Sequence, residues 1–402
     1  GIQGRRVTHP HVAVIGAGIV GATIAFRLAS AGAQVTVIDR GMPGAGATSR
    51  SFGWINASFH ASPAHFRLRL ASLEAWRRLD AEVPDLGLRW TGAISWDFGG
   101  TGFDAQVWEL ASLGYPLRVL DSAGFASLEP QVPAPSARSV LFPAEGAVDA
   151  AHAAGRLLDA AADFGAQLWL GSRVTAIATT GGRASGIVTA EGVLAADHVV
   201  LAGGDGAPEL LAPLGFTLPM LKRPGLILRT RPLPPVIRHI LVCPSLELRQ
   251  DAQGRILAPT AAAHQGDASD SVADLPGTLA DEALARLRTI LPVEGLGWDR
   301  VTLADRPVPG DGLPAIGPIP GTAGLTLAVM HSGVTLAAAA GGLVADEVLA
   351  GAASPLLEDF RPALFRKAPQ HTDFSLKNRP VYSAKKRQIK RGNRVQHRPA
   401  SP

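Results

Sequence analysis

The sequence holds a single cysteine, Cys243, and two tyrosines, Tyr115 and Tyr382. One cysteine excludes an intramolecular disulfide framework and a cysteine-built metal cluster, so no metal is expected. It also points to a reducing compartment. The opening GIQGRRVTHP runs straight into an apolar strand pattern with no small-residue cleavage site, so the expectation is a cytoplasmic protein. The longest apolar region, Thr322 to Ala350, is broken by His331, Asp346 and Glu347 and is rich in Gly and Ala. It reads as a buried strand and helix rather than a membrane span. No fixed-period repeat is present, which excludes solenoids and propellers.

Lysine is nearly missing from the body of the chain. Only Lys222 lies before residue 366, whereas five lysines follow it. The net charge of +4 is therefore the sum of two unlike parts, a segment 366–402 at +10 and residues 1–365 at −6. The segment 366–402 has few apolar residues and no period, and is expected to be a basic, disordered tail. Its charge is compatible with nucleic acid or anionic lipid, but a solvated extension is the better reading of the composition.

What remains is a body rich in core-forming residues. With 47% hydrophobic and 18% charged residues over 402 positions, the chain can fill two domains. HVAVI at 11–15 reads as a buried strand, IVGATIAFRLAS as a helix stopped by Gly32, and QVTVID as a second strand. Strand, helix and strand at this spacing make a βαβ unit with parallel strands. Further helices are expected at 63–79, 149–165, around LADEALARLRTIL and from about Thr335 to Leu349. Short strands are expected at 88–98, between 174 and 204, and at 325–330.

Between the first strand and helix, VIGAGIVG places Gly16, Gly18 and Gly21 in GxGxxG spacing, with Ile19 and Val20 opening the helix. Gly16 permits the tight turn, Gly18 lets backbone N–H groups approach a pyrophosphate, and Gly21 lets the helix pack on the strand. The positive helix N-terminus then faces the phosphates. Asp39 ends the second strand, where a carboxylate can accept hydrogen bonds from an adenosine ribose and would repel a 2′-phosphate, although Arg40 beside it could attract one. The fingerprint serves FAD and NAD alike.

Three further segments choose between them. GMPGAGATSRSFGWINA follows the ribose acid, EGAVDAAHAAGRLLDAAADFGAQLWLGSRVTAI and AADHVVLAGGDGAPELLAPLG lie mid-chain, and DRPVPGDGLPAIGP with LTLAVMHSGVTLAAAAGGLVADEVLAG close the body. In that order they resemble the D-amino-acid oxidase superfamily of flavoproteins, with its glycine oxidase, sarcosine oxidase and D-amino-acid dehydrogenase branches. The likeness covers nearly all of residues 10–365.

The resemblance implies an α/β chain, α+β overall. A Rossmann-like FAD-binding domain would be made of 10–56, 146–216 and 305–365. The inserted, mostly antiparallel β-sheet substrate domain would be made of 57–145 and 217–304. It implies that Thr48, Ser49, Arg50 and Ser51 line the pyrophosphate and flavin, with Gly53 and Trp54 nearer the ring. Val174 would hold the adenine by its backbone, and the turn of Ala202, Gly203 and Gly204 would pass the phosphates. The turn of His331, Ser332, Gly333, Val334 and Thr335 would carry N–H groups to the flavin's carbonyl edge. A glycine turn opening a helix suits that edge, because reduction places negative charge there. Arg306, in an RP step before DGLP, would bind the substrate carboxylate, a task its planar fork fits.

Lys222, His264 and Trp54 are further polar or aromatic candidates, each read equally as a loop, structural or core residue. The family's active-site tyrosines have no match, Met330 replaces the usual glycine before the histidine, and no cysteine stands where some relatives attach flavin, so FAD is expected to be non-covalent. The implied activity is hydride transfer to FAD from the carbon beside the nitrogen of a small amino acid or secondary amine, with oxygen or a quinone-type partner as electron acceptor. A 2-hydroxy-acid or glycerol-phosphate-type dehydrogenase, and a non-catalytic FAD-binding subunit, are the alternatives.

Overall fold

The computed structural model describes residues 9–97, 101–135, 138–244, 246–260, 271–272 and 274–367. The segment 368–402, most of the basic tail, and His264 lie outside the described residues.

β1 (His11–Ile15), α1 (Ile19–Ser30) and β2 (Gln34–Asp39) form the expected βαβ unit, with β1 and β2 parallel and Val12 facing Val35. The sheet has six strands in the order Ala315–Pro318, Leu325–Val329, His198–Leu201, β1, β2, Gln167–Leu170. All neighbours are parallel except the Ala315–Pro318 edge. Strands from three distant stretches of chain thus meet in one sheet.

The period of two along β1 sorts its residues onto the two faces. Val12 and Val14 share a core with α1 and the helices Ala150–Asp163 and Gly333–Ala350. Ala13 and Ile15 share another with Ile177, Ala184 and Ile187 of a three-stranded antiparallel sheet. Both faces of the parallel sheet are therefore covered, which is why its strands read as continuous apolar runs.

α1 is apolar almost all round because it lies between two helices. On one side the approach is so close that a Cβ on Gly341 would meet Thr23 Cγ2 at 2.4 Å. Among the described residues, Gly333–Ala350 is the one helix long and apolar enough to cross a membrane, and ten of its residues are buried inside the fold, as the sequence suggested.

A second sheet of eight strands runs in the order Trp298–Asp305, Pro224–Thr230, Ile256–Pro259, Leu246–Gln250, Ile240–Cys243, Ala93–Ser95, Ser139–Phe142, Arg118–Leu120. It is antiparallel apart from the pair Ile240–Cys243 and Ala93–Ser95. The helix Pro276–Ile290 covers part of one face through Ala280, Ala283, Leu284 and Leu287. The run expected as one strand at 88–98 is instead two, Leu88–Arg89 and Ala93–Ser95, in different sheets. Gly92 between them has φ 75°, a conformation that breaks an extended run.

α2 (Pro63–Glu82) begins at a serine cap, Ser62 accepting from His65 N at 3.1 Å, with Pro63 in the first turn. It packs along the helix Gly333–Ala350 through His65, Arg69, Ser72 and Trp76, all buried. Their spacing of four, three and four puts them on one stripe.

Candidate active site

A cleft of about 510 Å³ opens at the carboxyl ends of the parallel strands, where ligands bind in open α/β sheets. Gly16 follows β1, Asp39 ends β2, Ala202 follows His198–Leu201 and Met330 follows Leu325–Val329, and all four line the cleft. The second sheet forms the opposite wall with Leu226, Ile227, Glu247 and Pro259.

The glycine turn is built by close approach. Gly16 has φ 112°, and a Cβ there would lie 2.3 Å from Ala202 O. A Cβ on Gly21 would lie 1.9 Å from Gly16 O, so the helix can pack over the turn only with glycine. A Cβ on Gly18 would instead meet only Thr48 Oγ1, at 3.1 Å, and would occupy the cleft floor. α1 starts at Gly18 without a side-chain cap and carries no acid in its first turn. Its N-terminal dipole is thus left facing the cleft. Ile19 N donates to Thr48 Oγ1 at 3.1 Å, which ties the Ala47–Arg50 turn to the helix start.

Asp39 braces this end. Its Oδ2 accepts from Ala17 N and its Oδ1 from Gly41 N, each at 2.7 Å. The carboxylate holds the glycine turn and the next loop together while its side remains on the cleft wall.

At the other end stand Arg306, Trp54 and the turn His331 to Thr335. Arg306 Nε donates to Arg223 O at 3.2 Å and its backbone N to the same oxygen at 2.9 Å, which sets the direction of the side chain. The stem crosses Gly225, where a Cβ would touch Arg306 Cδ at 3.4 Å. His331 is half-buried on the lining of the cleft. That burial, with the positive charges of Arg306, Arg69 and Arg223, pushes its pKa down to about 3, so the imidazole is neutral at ordinary pH. Ser332 stands at the N-cap position of the helix Gly333–Ala350 in a left-handed conformation, φ 57°, with no side-chain cap bond and again without an acid in the first turn.

The α2 stripe grips this turn from behind. Trp76 Nε1 donates to Val334 O at 2.9 Å and Ser72 Oγ to Thr335 O at 2.6 Å. Arg69 donates to Ser332 Oγ, Asn56 Oδ1 and Asn56 O. Trp54 is fixed similarly, its indole donating to Glu145 Oε2 at 2.9 Å, while Tyr115 donates to Glu145 Oε1 at 2.9 Å. Burial pushes the Glu145 carboxyl up to about 7 against the pull of these hydrogen bonds.

All but five of the residues singled out in the sequence line this one cleft. Gly21 lies behind the turn it shapes. Ser49 is buried in neither wall, and its carbonyl accepts from Arg229 at 3.0 Å. Val174 sits in the loop after the strand Gln167–Leu170, which Ser172 N ties to Asp39 O at 3.0 Å, and is not itself part of the lining. Lys222 is exposed outside it, and His264 lies outside the described residues. The sequence reading missed Glu247, a lining residue 2% exposed, and the supporting Arg69 and Glu145. The signal for Glu247 was present in the strand LELRQ, where charged residues alternate with leucines. That pattern looks half-solvated, but here the polar face turns to the cleft, and Arg249 beside it donates to Phe52 O and Val148 O.

The cleft is long, has two uncapped helix N-termini and has a carboxylate at one end and an arginine at the other. Its glycine cradle fits an extended anionic dinucleotide such as FAD, with a small substrate between the ring and Arg306.

Comparison with known proteins agrees with this chemistry. A family model described as FAD dependent oxidoreductase matches residues 11–347. Glycine oxidase from Geobacillus kaustophilus is 29% identical over 85% of this chain and 94% of its own length. D-amino acid dehydrogenase from Sinorhizobium medicae is 28% identical over 84% of this chain and 95% of its own. The crystal structure of the Geobacillus glycine oxidase superposes with a TM-score of 0.77 at 26% identity, covering 90% of this chain and all of that one.

Proposed function

The chain belongs to the FAD-dependent oxidoreductase family, and from that membership we propose how its cleft oxidises the C–N bond of a small amino acid or secondary amine. The enzyme uses FAD. When bound, FAD supplies the hydride acceptor; the protein supplies binding, orientation and electrostatics.

Gly16, Gly18, Ile19, Val20 and the turn Ala202 to Gly204 hold the pyrophosphate, with Asp39 at the ribose. Thr48, Arg50, Ser51 and Gly53 continue the path toward Trp54. The turn from His331 to Thr335 meets the ring. Arg306 takes the substrate carboxylate, its guanidinium pre-set by the two bonds to Arg223 O. A carboxylate anchored there would orient the amine-bearing carbon for the hydride acceptor that FAD supplies, the kind of orientation that removes much of the entropic barrier. Neutral His331 adds no charge that would compete with Arg306 for the carboxylate. Val174, in the loop tied to Asp39, would hold the adenine by its backbone, and Lys222, exposed outside the lining, has no part in this assignment.

The observation that carries the reading is the single cleft that joins the glycine turn at Asp39 to Arg306 and His331. Electrons leave to oxygen or to a quinone-type acceptor, and turnover in air compared with turnover under argon with a quinone dye separates the two. A cytoplasmic location belongs to the same proposal and is in keeping with Cys243, a buried free thiol.

An anaerobic visible spectrum, titrated with amino acids, secondary amines and 2-hydroxy acids, tests the function. Bleaching by an amino acid or amine alone supports it. Bleaching by hydroxy acids alone, or no flavin after FAD is added, overturns it.

A further inference from the structure

Arg69 is 2% exposed, and the hydrogen bonds described for its guanidinium all run to uncharged acceptors. These are Asn56 Oδ1 at 2.8 Å, Asn56 O at 3.0 Å, His65 Nε2 at 3.3 Å, and Ser332 Oγ. His65 is neutral, because burial and the charge of Arg69 push it down to about 2. Burial lowers Arg69 itself only to about 10, so it remains a cation at pH 7. A buried cation is costly unless negative charge lies near it. Glu145 is the nearest acid to act on it, yet its oxygens are bonded by Trp54, Tyr115 and Ser58, not by Arg69.

The cation points toward the cleft through one atom. Arg69 donates to Ser332 Oγ, so the hydroxyl proton of Ser332 must turn away from the guanidinium. Its one described acceptor there is His331 Nδ1, at a long 3.4 Å. Ser332 and Asn56 both line the cleft, so a hydroxyl strengthened by the cation behind it faces the ligand.

We propose that Arg69 acts through Ser332 to stabilise negative charge on the pyrimidine edge of the bound flavin, and so raises the flavin's reduction potential. Arg69 is a positioning residue in this scheme, one layer behind the cleft. The inference rests on the ring lying at the turn from His331 to Thr335, as proposed above. It explains why α2 spends a buried arginine where an apolar residue would pack at lower cost.

The test uses the FAD-loaded wild type and the variants Arg69→Met, Arg69→Lys and Ser332→Gly. The flavin potential is read against redox dyes under argon, and sulfite affinity is read from the flavin spectrum. Arg69→Met is expected to lower the potential and weaken sulfite binding at least tenfold. Arg69→Lys should recover part of the loss. Ser332→Gly removes the hydroxyl at a backbone conformation that glycine adopts freely, and should shift both readings in the same direction by less. Flavin-loaded Arg69→Met with wild-type potential and sulfite affinity overturns the inference alone. If Arg69→Met does not hold FAD, Ser332→Gly decides: a shift supports the relay and an unchanged potential overturns it. A wild-type protein that never binds FAD overturns the proposed function along with it.

Discussion

The indole of Trp54 and the carboxyl of Glu145 share a hydrogen bond closed to solvent, 2.9 Å long, between a wall of the cleft and the interior. Burial of that carboxyl, which outweighs the pull of the bond, makes stability depend on pH with a definite sign. Folding raises the Glu145 pKa from 4.5 to about 7, so between those values the native protein holds more protons than the unfolded chain. Stability therefore falls as pH rises through that window, by about 3 kcal/mol for this group. His331 and His65, pushed down to about 3 and 2, act oppositely: stability gained above 6.5 is lost as pH falls below it. Near pH 7 the two opposing contributions almost cancel, so the Glu145 part shows only by difference: the melting temperature of Glu145→Gln should gain on wild type as pH rises from about 5 to about 8, and a difference that does not change with pH would contradict the assignment.

Gly18 and Gly21 should behave differently when given a methyl group. Gly21→Ala collides with Gly16 O and is expected to cost about 3 kcal/mol of stability, seen in denaturant melts. Gly18→Ala meets only Thr48 Oγ1, so melting of the apoprotein should barely change while FAD affinity drops at least tenfold by fluorescence titration.

Removing the Asp39 carboxylate orphans two backbone donors, Ala17 N and Gly41 N. Asp39→Ala is expected to lose about 2 kcal/mol of apoprotein stability and most FAD binding. Asp39→Asn keeps one acceptor oxygen and should fall between the two. Equilibrium unfolding with and without FAD measures both effects.

Arg306→Met should reduce kcat/KM for an amino acid by a factor on the order of 100, the worth of a charge-assisted carboxylate contact. The same variant should change turnover of the matching amine without a carboxylate by much less. Equal losses on both substrates would remove Arg306 from the carboxylate site.

Much of the nucleotide half was legible because its physics is local. Gly16, Gly18 and Gly21 stand in a short fixed spacing between a strand and a helix, although only Gly21 answers to a contact within that turn, and HVAVI and QVTVID are buried on both faces. The cleft's far end was legible only in part. Arg306 and the turn at His331 carry a family pattern, but Arg69 stands on an amphipathic helix where polar residues ordinarily mark the solvent side. Its inward stripe depends on a partner helix more than 250 residues away in the chain, which no local period reports. Glu145 immediately precedes the short buried strand Gly146–Val148, and its partners Trp54 and Tyr115 are likewise distant. The split at Gly92 was hidden because a left-handed glycine leaves the apolar pattern intact.

The placement of β1 has a further consequence for how the protein is made. β1 leaves the ribosome well before one of its two sheet neighbours, His198–Leu201, and before the helix that closes over Thr23. Until then α1 has an open apolar side and β1 an open edge, both prone to self-association. Chain out to the helix Gly333–Ala350 must be synthesised before β1 and α1 can be sealed, a non-local closure of the kind that slows folding.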